Sequence, residues 1–112
     1  MKSKKCILCG ICITSCPIYR VLRNEKVSPR GKAIMISNDL LDKMIYACTL
    51  CGACKKNCLV DFDLKLRKVR ERLVKEGIET TANKKMIENI RKHGNPYGKL
   101  KEGEKPEELY CC

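Results

Sequence analysis

The chain has 112 residues, ten of them Cys, with 24 Lys and Arg against 13 Asp and Glu for a formal charge of +11. There is one Phe and no Trp, and once the cysteines are set aside the apolar share drops to about 35%, too little for a second core and thin for one. No apolar run approaches the ~18 residues of a bilayer span, so cysteine chemistry, disulfide or metal, is left to support the fold.

The basic start, Met1 to Lys5, leads into Cys6 rather than into the apolar stretch of an export signal. Metal is therefore expected ahead of disulfides, and the cytoplasm ahead of an oxidising compartment. Cys6, Cys9, Cys12 and Cys16 follow as C-x2-C-x2-C-x3-C, with Gly10 after the second Cys and Pro17 after the last. From Pro17 to Ala47 the chain reads as helical. Ser28 and Pro29 look like the N-cap and first position of a helix. Ala33, Ile36, Leu40, Met44 and Ala47 recur at helical spacing as an apolar stripe. Asn38 and Asp39 are expected to interrupt it, one of them capping a second helix.

Cys48, Cys51, Cys54 and Cys58 repeat the pattern 42 residues on, with Gly52 in the place of Gly10. A cubane [4Fe-4S] cluster takes one thiolate per iron. Three Cys at x2 spacing wrap one face of it, and the fourth Cys of each run ligates the other cluster. The expected ligands are Cys6, Cys9, Cys12 and Cys58 for cluster I, and Cys48, Cys51, Cys54 and Cys16 for cluster II. Such crossed ligation ties the two halves of the chain together. Gly10 and Gly52 are expected to give each loop a backbone conformation denied to residues with a Cβ. Zinc is the competing metal, because C-x2-C pairs make zinc knuckles; zinc sites, however, separate their pairs by a longer loop.

Beyond Cys58 a further helix is expected, capped by Asp61 or Asp63, with Phe62, Leu66, Val69 and Leu73 on one face and Gly77 as its stop. Thr80 or Thr81 opens another, with Met86, Ile87 and Ile90 inward and Gly94 as its stop. Asn95 to Gly98 is a turn. A domain over residues 1–98 is expected, and 99–112 reads as a charged linker or tail. Lys65, Arg67, Lys68, Arg70, Arg72 and Lys75 make the first of these helices basic. They read as a solvated face or as a docking face for an acidic redox partner. Without interleaved aromatic residues, no base-stacking surface is visible, so nucleic acid is not the expected partner. His93 sits at a helix end, where a dipole contact is its expected role. Two oxidised clusters, each about −2 with its thiolates, bring the +11 down to about +7.

These pieces together resemble the N-terminal two-cluster module of a family. It comprises the iron–sulfur components of heterodisulfide reductase, of anaerobic glycerol-3-phosphate dehydrogenase and of glycolate oxidase, together with lactate-utilisation proteins. The matching residues are the first run through Tyr19, Glu25, Ser28-Pro29-Arg30-Gly31-Lys32, the second run, and His93-Gly94-Asn95-Pro96-Tyr97-Gly98. The resemblance implies an all-α fold, the α-helical ferredoxin with two [4Fe-4S] clusters. Leu59 stands where the family commonly has Pro after the last Cys, a change that removes no ligand. Larger members continue into a domain with Cys-Cys-Gly motifs, whereas here the sequence ends at Tyr110-Cys111-Cys112.

The expected function is electron transfer, as an iron–sulfur subunit or module of an oxidoreductase complex. The expected partner is a flavoprotein or a catalytic oxidoreductase subunit. No acid, base or nucleophile stands out as catalytic, and membrane association is expected only through a partner. Two alternatives are a part of a heterodisulfide-type reductase using Cys111 and Cys112, and a cluster-bearing nucleic-acid-binding or redox-sensing module.

Overall fold

In the computed structural model, residues 5–106 are described, and among them the chain is helical with no strand. The helices are α1 (Ile11–Thr14), α2 (Pro17–Leu22), α3 (Pro29–Ser37), α4 (Ala53–Lys56), α5 (Leu66–Lys75) and α6 (Thr81–His93). Short 3-10 helices occupy Glu25–Val27 and Lys43–Ala47. No helix among the described residues is long and apolar enough to cross a membrane. Two compact units divide the chain, one up to Glu76 and one from Gly77 onward. The division thus falls inside the 1–98 segment expected as one domain.

In the first unit, α3 begins where its sequence dictates. The Ser28 hydroxyl accepts from the Gly31 amide at 2.9 Å and donates to Glu25 Oε1 at 3.1 Å, while Pro29 fills the first turn. The helix packs tightly on the Glu25–Val27 turn: a Cβ on Gly31 would run into the Glu25 carbonyl oxygen. Val27, Ala33, Ile45, Tyr46, Leu66 and Leu73 are the buried apolar residues. Ser28 and Lys32 are buried with them.

Two sequence expectations shift here. The apolar stripe does not run on past α3. The helix ends at Ser37, with Asp39 at φ 57, and the chain resumes as the Lys43–Ala47 3-10 helix. Asp42 caps that second piece, its Oδ1 accepting from the Met44 amide, rather than Asn38 or Asp39. The changed phase buries Ile45 and Tyr46 and leaves Leu40 64% exposed. Likewise α5 starts later than expected, after Lys65 at φ 49. Asp63 closes the turn before it by accepting from the Lys65 amide at 3.0 Å. Leu66 and Leu73 of the expected face are buried, and the helix packs against the Lys43–Ala47 turn.

The second unit is built on α6. The Thr80 hydroxyl accepts from the Asn83 amide, and Gly94 ends the helix at φ 73, both as the sequence implies. Ile90 remains 46% exposed, however, and is not inward. The Asn95 side chain accepts from the Tyr97 and Gly98 amides, closing the expected turn, and the Asn89 amide caps it by donating to the Pro96 carbonyl.

Candidate functional site

Both cysteine runs follow the same backbone path. Leu8 and Leu50 stand in the left-handed region at φ 58 and 59, and Gly10 and Gly52 follow at φ 81 and 76. Each glycine then caps a one-turn helix, α1 or α4, that carries the third Cys of its run. The double reversal turns amides inward. The Leu8 amide donates to Cys6 Sγ at 3.4 Å, and the Leu50 amide donates to Cys48 Sγ at 3.3 Å. Pro17 opens α2 directly after Cys16, so that side chain leaves its own loop at a helix start. Cys58 ends the other loop, and its Sγ accepts from the Phe62 amide at 3.3 Å.

Two cavities result. One is lined by Cys6, Cys9, Cys12, Cys58 and also Cys54, and is walled by Ile7, Ile11, Ala33, Val60, Phe62 and Leu64. The other is lined by Cys16, Cys48, Cys51 and Cys54, under Pro29 and Lys32. The structure thus brings the last Cys of each run to the first three of the other. Among the described residues no three His, Cys, Asp or Glu side chains converge on one ion. Cys54 lines both cavities, and the eight thiols around the two spaces suit a pair of groups that each take one thiolate at each of four irons.

The thiols do not share one environment. Burial pushes the Cys12 thiol up, with neighbouring Cys54 adding to it, and burial pushes Cys54 up as well. Cys51 is pulled down, first by the Ala53 amide and then by the Thr49 side chain. A bound metal overrides such differences by deprotonating its thiols outright.

Cations that the sequence did not place beside the cysteines border these cavities. Arg30 lies against the first loop, its guanidinium 2.9 Å from where a Gly10 Cβ would sit, and is held by Glu25 at 2.7 Å. Lys32, further along α3, is 1% exposed and donates from Nζ to the Val27 carbonyl. Burial pulls its ammonium pKa down, while Cys48, Cys16 and Cys54 pull it back up. Arg70, one of the residues read as a basic face, turns inward from α5. It donates to the Tyr46 and Cys48 carbonyls and lies 5.8 Å from the Tyr46 ring centre. Its Nε is buried with no partner among the described residues, a free donor on a side chain anchored at Cys48. The sequence signal available for Lys32 was its place in Ser-Pro-Arg-Gly-Lys, not any periodicity.

The rest of the basic face is exposed. Lys65, Arg67 and Lys68 form one wall of an open groove of about 490 Å³, whose other wall includes Cys48, Cys54 and Lys55. Lys55 is tied to Asp63 at 2.9 Å. His93 is the last residue of α6, the helix-end position expected for it. Cys111 and Cys112 lie outside the described residues.

The 4Fe-4S dicluster domain family matches residues 2–62, which span both cysteine runs. An uncharacterized electron transport protein of Escherichia coli (strain K12) is 33% identical over 74% of this chain and 20% of its own length. The glycolate oxidase iron-sulfur subunit of the same organism is 28% identical over 67% of this chain and 24% of its own. An uncharacterized iron-sulfur protein of Methanococcus maripaludis is 27% identical over 80% of this chain and 21% of its own. The chain therefore spans between a fifth and a quarter of the length of these relatives. No solved structure matches it.

Proposed function

The chain belongs to the 4Fe-4S dicluster domain family, and from that premise we propose that it binds two [4Fe-4S] clusters and passes single electrons between partner proteins. Cys6, Cys9, Cys12 and Cys58 hold cluster I; Cys16, Cys48, Cys51 and Cys54 hold cluster II. The observation that carries this reading is the exchange of fourth cysteines between the two cavities. The clusters supply reversible one-electron storage. The chain's own residues supply ligation, amide donors to sulfur, and fixed charge. Substrate chemistry belongs to a partner, a flavoprotein or the catalytic subunit of an oxidoreductase. The groove beside Cys48 and Cys54 offers an acidic partner surface a basic wall. The cytoplasm is the expected place of work.

Protein purified without oxygen should hold about eight irons and eight acid-labile sulfides per chain, and its broad visible absorption should bleach on reduction. Tightly bound zinc with no sulfide overturns the reading.

A further inference from the structure

The two proposed clusters sit among very different charges. Reduction adds an electron to a group that is already anionic, so a nearby cation favours it and an apolar wall opposes it. Around the cluster II cavity, Lys32 is buried and Arg70 is bound to the carbonyls of Tyr46 and Cys48. Among the described residues that line the cluster I cavity the cation is Arg30, whose side chain is 36% exposed and whose charge is paired with Glu25. Solvent and Glu25 both screen it. The remaining walls of that cavity are apolar.

Amide donors do not offset this contrast. Leu8 and Phe62 donate to Cys6 and Cys58 of the first set, while Leu50 donates to Cys48 of the second and the Ala53 and Lys55 amides favour the thiolates of Cys51 and Cys54.

We propose that Lys32 makes cluster II the higher-potential of the two, so that the first electron accepted by the protein comes to rest on the Cys16/Cys48/Cys51/Cys54 side. The inference rests on the two-cluster reading above. One electron enters from a reduced flavin or iron–sulfur group of the donor protein, which is oxidised by one electron. No bond is made or broken. Lys32 acts as a positioning charge: it ligates nothing and fixes where the electron stays. It also gives the protein a direction, with the donor's electron moving toward the side that opens on the basic groove.

The test is a redox titration of the cluster-loaded protein followed by electron paramagnetic resonance. Lys32→Met keeps the volume and removes the charge. It should make cluster II about tenfold harder to reduce, which for one electron is about 59 mV, and shift cluster I by less than about twofold. Lys32→Arg should preserve the order of the clusters. If Lys32→Met does not load, the unsubstituted order decides. Cys9 and Cys51 are matched, exposed members of the two sets. Cys51→Ser should alter the signal that reduces first, and Cys9→Ser should leave it in place. The reverse assignment overturns the inference, as does a Lys32→Met shift that is absent or equal at both clusters. An iron and sulfide content that accounts for one cluster or none overturns the two-cluster reading instead.

Discussion

Residues 6–16 and 48–58 share a backbone and differ in what presses on it. Their left-handed pairs, Leu8 with Gly10 and Leu50 with Gly52, agree within 5° in φ, and each loop aims an amide at its first sulfur. The neighbours differ. Arg30 lies against Gly10, while none of the described residues stands within 4 Å of a Cβ placed on Gly52. Apolar side chains wall the first cavity, and a buried lysine closes the second. The loop path follows from ligand spacing, so it repeats. Charge and packing come from α3 and α5, elements present once each, so they do not. A duplicated loop in an unduplicated surround gives two like sites with unlike electrostatics.

The largest test of the comparison removes what both loops surround. Few large apolar residues are buried among the described residues of the first unit, so the proposed clusters are expected to carry much of its stability. Chelating the iron should abolish the cooperative thermal transition and most of the helical circular-dichroism signal. An apo-protein that still melts cooperatively would show that α3 and its neighbours hold the loops unaided. Next comes exchange of one ligand between loops. Cys16→Ser should disturb chiefly cluster II, although Cys16 belongs to the first run; the cluster signals in paramagnetic resonance report which is altered. Disturbance of cluster I alone would mean that each loop keeps its own four cysteines.

Local chemistry was legible in the sequence. Cysteine spacing, the Ser28 and Thr80 caps and the Gly94 stop each depend on residues within a turn of one another, and the structure has the caps and the stop in place. The phase of the apolar stripe was not legible, because Asp42 restarts the chain as a 3-10 helix with a different period. Nor was the start of α5, where Asp63 spends its side chain on the turn before the helix. Least visible were Lys32 and Arg70. Lys32 stood out only within Ser-Pro-Arg-Gly-Lys, and Arg70 belonged to a run read as a solvated or docking face. Their inward turn is decided by the carbonyls of Val27, Tyr46 and Cys48, of which the last two lie more than twenty residues from Arg70.

Glycine substitutions sharpen the comparison at smaller scale. Gly31→Ala forces a Cβ onto the Glu25 carbonyl, a backbone atom that cannot swing aside, and should cost about 1–3 kcal/mol in denaturant unfolding. Gly52→Ala meets open space and should cost only the left-handed strain, about 1–2 kcal/mol. Gly10→Ala bears the same strain and must also displace the Arg30 guanidinium, so it should be the more damaging of the matched pair. Equal losses at Gly10 and Gly52 would mean that Arg30 yields freely and that the two loops are alike after all.

The smallest effect concerns Glu25, the carboxylate paired with Arg30 beside the first loop. The Arg30 guanidinium, bonded at 2.7 Å, is the main cause holding its carboxyl below the usual carboxylate range, and the Ser28 hydroxyl adds to it. A lowered pKa in the folded state means that the ionised form is favoured by folding. The stabilisation is complete above the ordinary glutamate range and is lost as pH falls through the lowered value. With the side chain 45% exposed, the effect should stay below about 1 kcal/mol. Glu25→Gln should therefore be slightly less stable than the unsubstituted protein at neutral pH, with the gap closing on acidification; comparing the two proteins at each pH cancels acid damage common to both. The same substitution frees the Arg30 charge to act on the first cavity. Cluster I should then become easier to reduce and approach cluster II, whereas an unchanged separation would mean that Glu25 was not what kept the first site poor in positive charge.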